Sequence, residues 1–170
     1  MKKKLHIIVL AAVSIMMLAG IHITQEFRFY NIESNTLFLY DWSDIWAKLV
    51  RTGGLSTLMA SFLTQFMRIP AVGPLIVTAV YLLAAYLFYK VICVNSDARA
   101  TSGIAFLPAA FLFLCMENDY YRFQGHMAFL LMLTALYAYV SVPKEKMRYA
   151  AGVLLVPLLY QTAGSVAVVF

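Results

Sequence analysis

Hydrophobic positions along this chain form long runs that short polar segments separate. A helix that crosses about 30 Å of hydrocarbon needs roughly 20 apolar residues, because its backbone polar groups must bond within the segment. The longest runs predict full spans at residues 5–24, 74–94, 103–118 and 125–142. Residues 147–160 and the apolar sequence SVAVVF, from near residue 165, predict partial spans.

The segment 25–73, between the first two predicted spans, is amphipathic. Asp41 and Asp44 favour a helix start, and Gly53-Gly54 favours its end. This segment predicts a helix on the membrane surface with its tryptophans at headgroup level. The next stretch repeats the pattern and predicts a second such helix. Its polar stripe consists of Ser56, Thr57, Ser61, Thr64, Gln65 and Arg68, beside an apolar stripe of Leu55, Leu58, Met59, Phe62, Leu63 and Phe66.

The composition points to lipid rather than water as the solvent. Hydrophobic residues make up 63% of the chain and charged residues only 12%, which is far from the values of soluble domains. We therefore expect an all-α integral membrane protein, a polytopic helical bundle whose first loop carries amphipathic helices. The net charge is +5, but the Lys and Arg residues are spread between the apolar runs and do not form a single basic patch. Nucleic-acid binding has no support, and no zinc spacing, phosphate-binding glycine loop or nucleotide fingerprint appears.

Charge asymmetry predicts the orientation. On the side of the membrane where the amino terminus is predicted to lie, the loops carry eight Lys and Arg residues and two acids. On the opposite side they carry five Lys and Arg residues and six acids. Positively charged residues concentrate in cytoplasmic loops, so we expect a multi-pass inner-membrane protein with a cytoplasmic amino terminus. Residues 25–73 and the turn ENDYYRFQGH at 117–126 then lie outside. A cleaved secretory signal is the alternative for the first span, but Leu18 stands where its cleavage site needs a small residue.

Three sequence features carry a family resemblance. QEFRFY, then GGLSTLMASFLTQFMRIPAVG, then a polar aromatic turn before a Leu-rich span resemble an uncharacterised bacterial family of polytopic membrane proteins, a domain of unknown function. Members of that family are longer, so the resemblance implies that this chain is an amino-terminal portion. The apolar run at Phe170 indicates the same. The resemblance brings no activity with it.

The predicted layout is also similar to the GT-C membrane glycosyltransferases. In both, a cytoplasmic amino terminus precedes an external loop that has membrane-parallel helices and an acid just after the first span. GT-C enzymes take a sugar from a polyprenyl-phosphate carrier and use an acid of that loop as the catalytic base. The resemblance places Glu26 in that role and gives Glu117-Asn118-Asp119 as an acid-x-acid motif, although the first loop has no such motif of its own.

The chemistry of that reaction suggests the remaining roles. Transfer from a phosphate leaving group needs a base for the acceptor and cations for the phosphate oxygens. Glu117 and Asp119 would hold a divalent metal or the acceptor, because hard cations take oxygen ligands. Imidazole ligands for such a metal would come from the two external histidines, His22 and His126. The candidate phosphate partners are Arg28, Arg68 and Arg122.

Each of these residues also has a structural explanation. Acids and aromatics suit a turn in the headgroup region, and Glu26 suits a span boundary. A non-catalytic membrane scaffold or assembly protein is therefore an alternative function. A transporter is a second alternative, although the interiors of the four full spans carry no charge that would mark an ion pathway. Expected partners are membrane lipid and polyprenyl-phosphate lipids, and the sequence does not define an oligomeric state.

Overall fold

The computed structural model describes residues 13–23, 29, 32, 36, 38–69, 71–95, 104–116 and 122–169. Every regular element within these ranges is a helix, which confirms the predicted all-α class for them. Among the described residues, α1 is Val13–Ile23 and α2 is Trp42–Val50. The others are α3 (Gly54–Thr64), α4 (Val72–Asn95), α5 (Leu107–Met116), α6 (Gln124–Val140) and α7 (Glu145–Ala163).

Two 3-10 segments extend these helices. Ile104–Phe106 leads into α5, and Gly164–Val169 follows α7. Pro108 lies in the first turn of α5, where its missing N–H breaks no helical hydrogen bond. α5 has 10 residues and is therefore only about 15 Å long at 1.5 Å per residue.

Helices α4, α5 and α6 form the centre of the bundle. α4 packs against α5 and α6, and α6 packs against α7. Tyr81, Leu112, Met127 and Leu133 are among the large side chains that are fully buried between them. α7 lies at the side of this core, since only Leu159 and Ala163 are buried within it. A small-residue cluster that includes Ala128, Ala135 and Ala163 joins α6 to α7.

Two segments are long and apolar enough to cross a bilayer. Val72–Val94 has a mean hydropathy of 2.0, and Glu145–Val168 has a mean hydropathy of 1.6. The helices α1, α3, α5 and α6 are apolar but shorter over the residues that the structure describes. Length and composition are thus compatible with two membrane crossings in the described chain.

Helix α3 belongs to the bundle rather than to a free surface. Ser56 and Thr64 are completely buried and Ser61 is nearly so, whereas Phe62 is 41% exposed. The buried hydroxyls satisfy themselves locally: Ser56 donates to the Gly53 carbonyl and Ser61 to the Thr57 carbonyl, each at 2.8 Å. These small side chains allow α3 to approach α6 and α7 closely. A helix that lay free on a membrane surface would instead turn this stripe to water. The prediction of a surface helix from the stripes alone is therefore wrong for α3, which packs inside the bundle.

Candidate functional site

A polar cluster lies inside the apolar bundle where α4, α5 and α6 meet. The Tyr81 hydroxyl lies 3.3 Å from His126 Nε2, 3.3 Å from the Leu112 carbonyl oxygen and 3.2 Å from Met116 Sδ. Tyr81 is fully buried and His126 is 1% exposed. One hydroxyl therefore connects the middle of α4 with the end of α5 and the start of α6.

The His126 ring is held between two aromatic rings. It stacks on Tyr81 with centroids 5.6 Å apart and on Phe123 with centroids 5.2 Å apart. An imidazole in a largely apolar interior is costly to bury, and its partner is usually specific. The Tyr81–His126 contact therefore joins α4 to α6 by a polar pair within the apolar interior of the described bundle.

A second feature, which we call the glycine junction, consists of Gly53, Gln161 and Gly164. Both glycines have positive φ, +71° and +75°, and a Cβ on either would lie 3.4 Å from the Cα of the other. The Gly53 N–H donates to the Gln161 carbonyl at 3.0 Å. The Gln161 amide donates in turn to the Val50 carbonyl at 2.8 Å. The junction therefore fastens the end of α2 to the end of α7.

The start of α6 also lies at the glycine junction, because a Cβ on Gly53 would lie 3.3 Å from Gln124 Nε2. His126 follows two residues later on the same helix. The buried Tyr81–His126 pair and the glycine junction thus share one end of the bundle.

Helix α2 presents an apolar surface at this end. It has no buried residue, and Trp42 and Trp46 are 74% and 58% exposed beside a shallow depression that they line with Ser43 and Ala47. An ion pair at 2.7 Å joins Lys48 to Asp44. The helix begins after Asp41, whose pKa is held below its usual value by hydrogen bonds from the Ser43 hydroxyl and backbone. The predicted start of this helix is therefore observed.

The sequence-predicted site residues are only partly within the described chain. Arg68 is exposed after α3, and Arg122 is exposed before α6. His22 is exposed on α1, in contrast to the buried His126. The other candidates, Glu26, Arg28, Glu117 and Asp119, lie outside the described residues.

The described ranges contain no group of three or more His, Cys, Asp or Glu side chains that could hold a metal ion. Glu117 and Asp119, the predicted metal ligands, lie outside these ranges, and their role stays a prediction. Arg68 and Arg122 present guanidinium groups that can bind phosphate oxygens.

Comparison with known proteins identifies the family. A model of a protein family of unknown function matches residues 2–170. The chain belongs to DUF6057. Its predicted membership in a family of unknown function is thereby confirmed. No curated protein and no solved structure matches this DUF6057 chain, so its function has to be argued from the arrangement of its own residues.

Proposed function

We propose that this DUF6057 chain is a multi-pass protein of the inner membrane. The observation that carries this proposal is the outward-facing surface of the bundle, which is apolar on several helices, while the hydroxyls of α3 are inside. Such a surface is unfavourable in water and favourable in lipid. Exposed fractions lie between 47% and 75% for Leu75, Leu83, Phe111, Leu114, Val153 and Leu154.

The proposed orientation places the amino terminus in the cytoplasm. α6 runs from Gln124, beside the glycine junction, to Val140, next to the turn that carries Lys144, Lys146 and Arg148. The junction and this basic turn are therefore at opposite ends of α6. The preference of Lys and Arg for the cytoplasmic side puts the turn inside and the junction outside. The exposed tryptophans of α2 then lie at the outer headgroups.

For the activity, we propose the amino-terminal part of a GT-C-like glycosyltransferase that uses polyprenyl-phosphate-linked sugars. The support is the layout: the described residues between α1 and α4 include the helices α2 and α3, and α3 packs on α6 and α7. Exposed cations follow α3 and precede α6, at Arg68 and Arg122. This arrangement is what the GT-C resemblance implies for an external loop that meets a lipid carrier.

In the proposed reaction, an acceptor hydroxyl attacks the anomeric carbon of the sugar as the bond from that carbon to the phosphate oxygen breaks. Glu26 takes the acceptor proton, and the departing phosphate keeps the bonding electron pair. Arg28, Arg68 and Arg122 would offset the charge of the phosphate. Glu117 and Asp119 would position the acceptor or a divalent metal.

Binding of polyprenyl phosphate by the purified full-length protein tests this activity. With Mg²⁺ present, we expect the parent to bind and the Glu117→Ala/Asp119→Ala variant to bind at least about tenfold more weakly, because the variant loses the carboxylates that would hold the metal against the phosphate. Glu33→Ala is the control, because Glu33 is an acid of the predicted external segment 25–73 that has no proposed role in the site. It should bind like the parent.

Equal binding by the parent and the double variant in Mg²⁺ would exclude a metal-mediated role of the acidic motif in phosphate binding. No binding by the parent would overturn the enzyme hypothesis. The alternatives would then be a membrane scaffold or a transporter, and solute uptake into vesicles containing the protein would support the transporter.

A further inference from the structure

The turn between α6 and α7 has a fixed shape. We call residues 141–149 the basic hairpin, since they include Lys144, Lys146 and Arg148 against the single acid Glu145. The Arg148 guanidinium folds back and donates to the Val142 carbonyl oxygen from Nε at 3.3 Å and from Nη2 at 3.1 Å. The Arg148 N–H also donates to the Lys144 carbonyl at 2.9 Å. One cation thus holds the turn together from within.

The two lysines of the basic hairpin remain on its surface. Lys144 and Lys146 are both exposed, and so are two large apolar neighbours, Met147 at 58% and Tyr149 at 67%. Lys146 and Tyr149 are three residues apart in α7 and so lie on the same side of the helix. Ammonium groups and apolar side chains therefore occupy one surface.

We propose that the basic hairpin binds the headgroups of anionic phospholipids in the adjoining leaflet. Charge complementarity favours this partner, because each lysine offers three donors to a phosphate and an anionic surface attracts Lys and Arg beside a span. Tyr149 and Met147 fit the same partner, since side chains of this kind settle at the boundary between headgroups and acyl chains. A soluble anion would use the lysines and leave this apolar surface in water.

α4 carries another lysine beside an exposed aromatic ring toward its carboxyl end. Lys90 Nζ lies 5.5 Å from the centroid of the Tyr86 ring, and Tyr86 is 54% exposed. A cation held over an exposed aromatic ring suits a membrane interface, where the lysine stem lies along apolar surface and its charge reaches the headgroups. The lipid-binding proposal rests on the proposed membrane location and is independent of the glycosyltransferase hypothesis.

Titration of the purified full chain in zwitterionic detergent tests this inference. Phosphatidylglycerol should raise the Tm of the parent, whereas phosphatidylcholine and soluble glycerol phosphate should not. The measured quantity is the phosphatidylglycerol concentration that gives half of the maximal Tm shift. Removing one lysine should raise this concentration about fivefold, so the Lys144→Gln/Lys146→Gln variant should need about 25-fold more lipid. Arg51→Gln removes an exposed cation near the glycine junction and should change that concentration less than twofold. Molar salt should suppress the shift in the parent.

Three outcomes would overturn the inference. They are an equal response of the parent to both phospholipids, a parental response in the double lysine variant, and a full shift with soluble glycerol phosphate. None of them bears on whether the chain crosses a membrane, which cysteine labelling measures separately.

Discussion

Replacing Gly54 with alanine is expected to lower the free energy of unfolding by about 3 kcal/mol, toward the upper end for overpacking in a protein interior. A Cβ at this position would lie 2.4 Å from the Lys48 carbonyl oxygen and 2.5 Å from that of Leu49. Both are backbone atoms, so the clash is relieved only by displacing the last turn of α2 from the start of α3. Unfolding of the purified protein by a denaturing detergent measures the change.

Gly20→Ala is the matched control for this substitution. A Cβ at Gly20 meets nothing within 4 Å, and alanine is favoured over glycine within a helix by up to about 1 kcal/mol. Gly20→Ala should therefore be neutral or stabilising. If Gly54→Ala were equally harmless, the close approach of α2 and α3 would be contradicted.

Tyr81→Ala is expected to cost about 4 kcal/mol, within the range for removing a large buried side chain and leaving a cavity. Tyr81 is completely buried, with 0% of its surface accessible to solvent. Its hydroxyl connects three helices. Tyr86→Ala changes the same residue type on the same helix at a position that is 54% exposed. That control should cost less than about 1 kcal/mol. Similar losses at both positions would contradict a core centred on Tyr81.

Tyr81→Phe removes the hydroxyl and keeps the ring, so it measures the contribution of the hydroxyl to stability. It should cost about 1 kcal/mol, as buried hydrogen bonds in helical bundles do. A double-mutant cycle with His126→Leu measures the coupling between hydroxyl and imidazole. Additive losses would show that the 3.3 Å contact contributes no coupling energy.

Local signals in the sequence predict part of this fold well. Asp41 and Asp44 mark the start of α2 as observed, because helix starts depend on neighbouring residues. The predicted stop at Gly53-Gly54 is a few residues late, since α2 ends at Val50 and these glycines begin α3. The surroundings of α3 could not be predicted in this way. Its apolar and hydroxyl stripes are compatible with either a membrane surface or a bundle, and the choice depends on α6 and α7, which are distant in sequence.

The candidate site shows the same limit. His126 stands out beside a polar turn, but Tyr81 lies in the apolar run VTAVYLLAAY and has no signal of its own. The hydrogen bond from Gln161 to Val50 joins residues 111 positions apart. The acids Glu26, Glu117 and Asp119 lie outside the described residues, and their roles remain predictions from sequence.

Cysteine labelling in intact cells tests the central claim, that this chain crosses the membrane with the glycine junction outside. The sites are Thr52→Cys, beside the junction, and Ser141→Cys, in the basic hairpin, since both residues are exposed. Both go into a protein whose natural cysteines, Cys93 and Cys115, are replaced by alanine. An impermeant thiol reagent should label Thr52→Cys in intact cells and Ser141→Cys only after lysis. Labelling of both in intact cells, or of Ser141→Cys alone, would contradict the proposed topology.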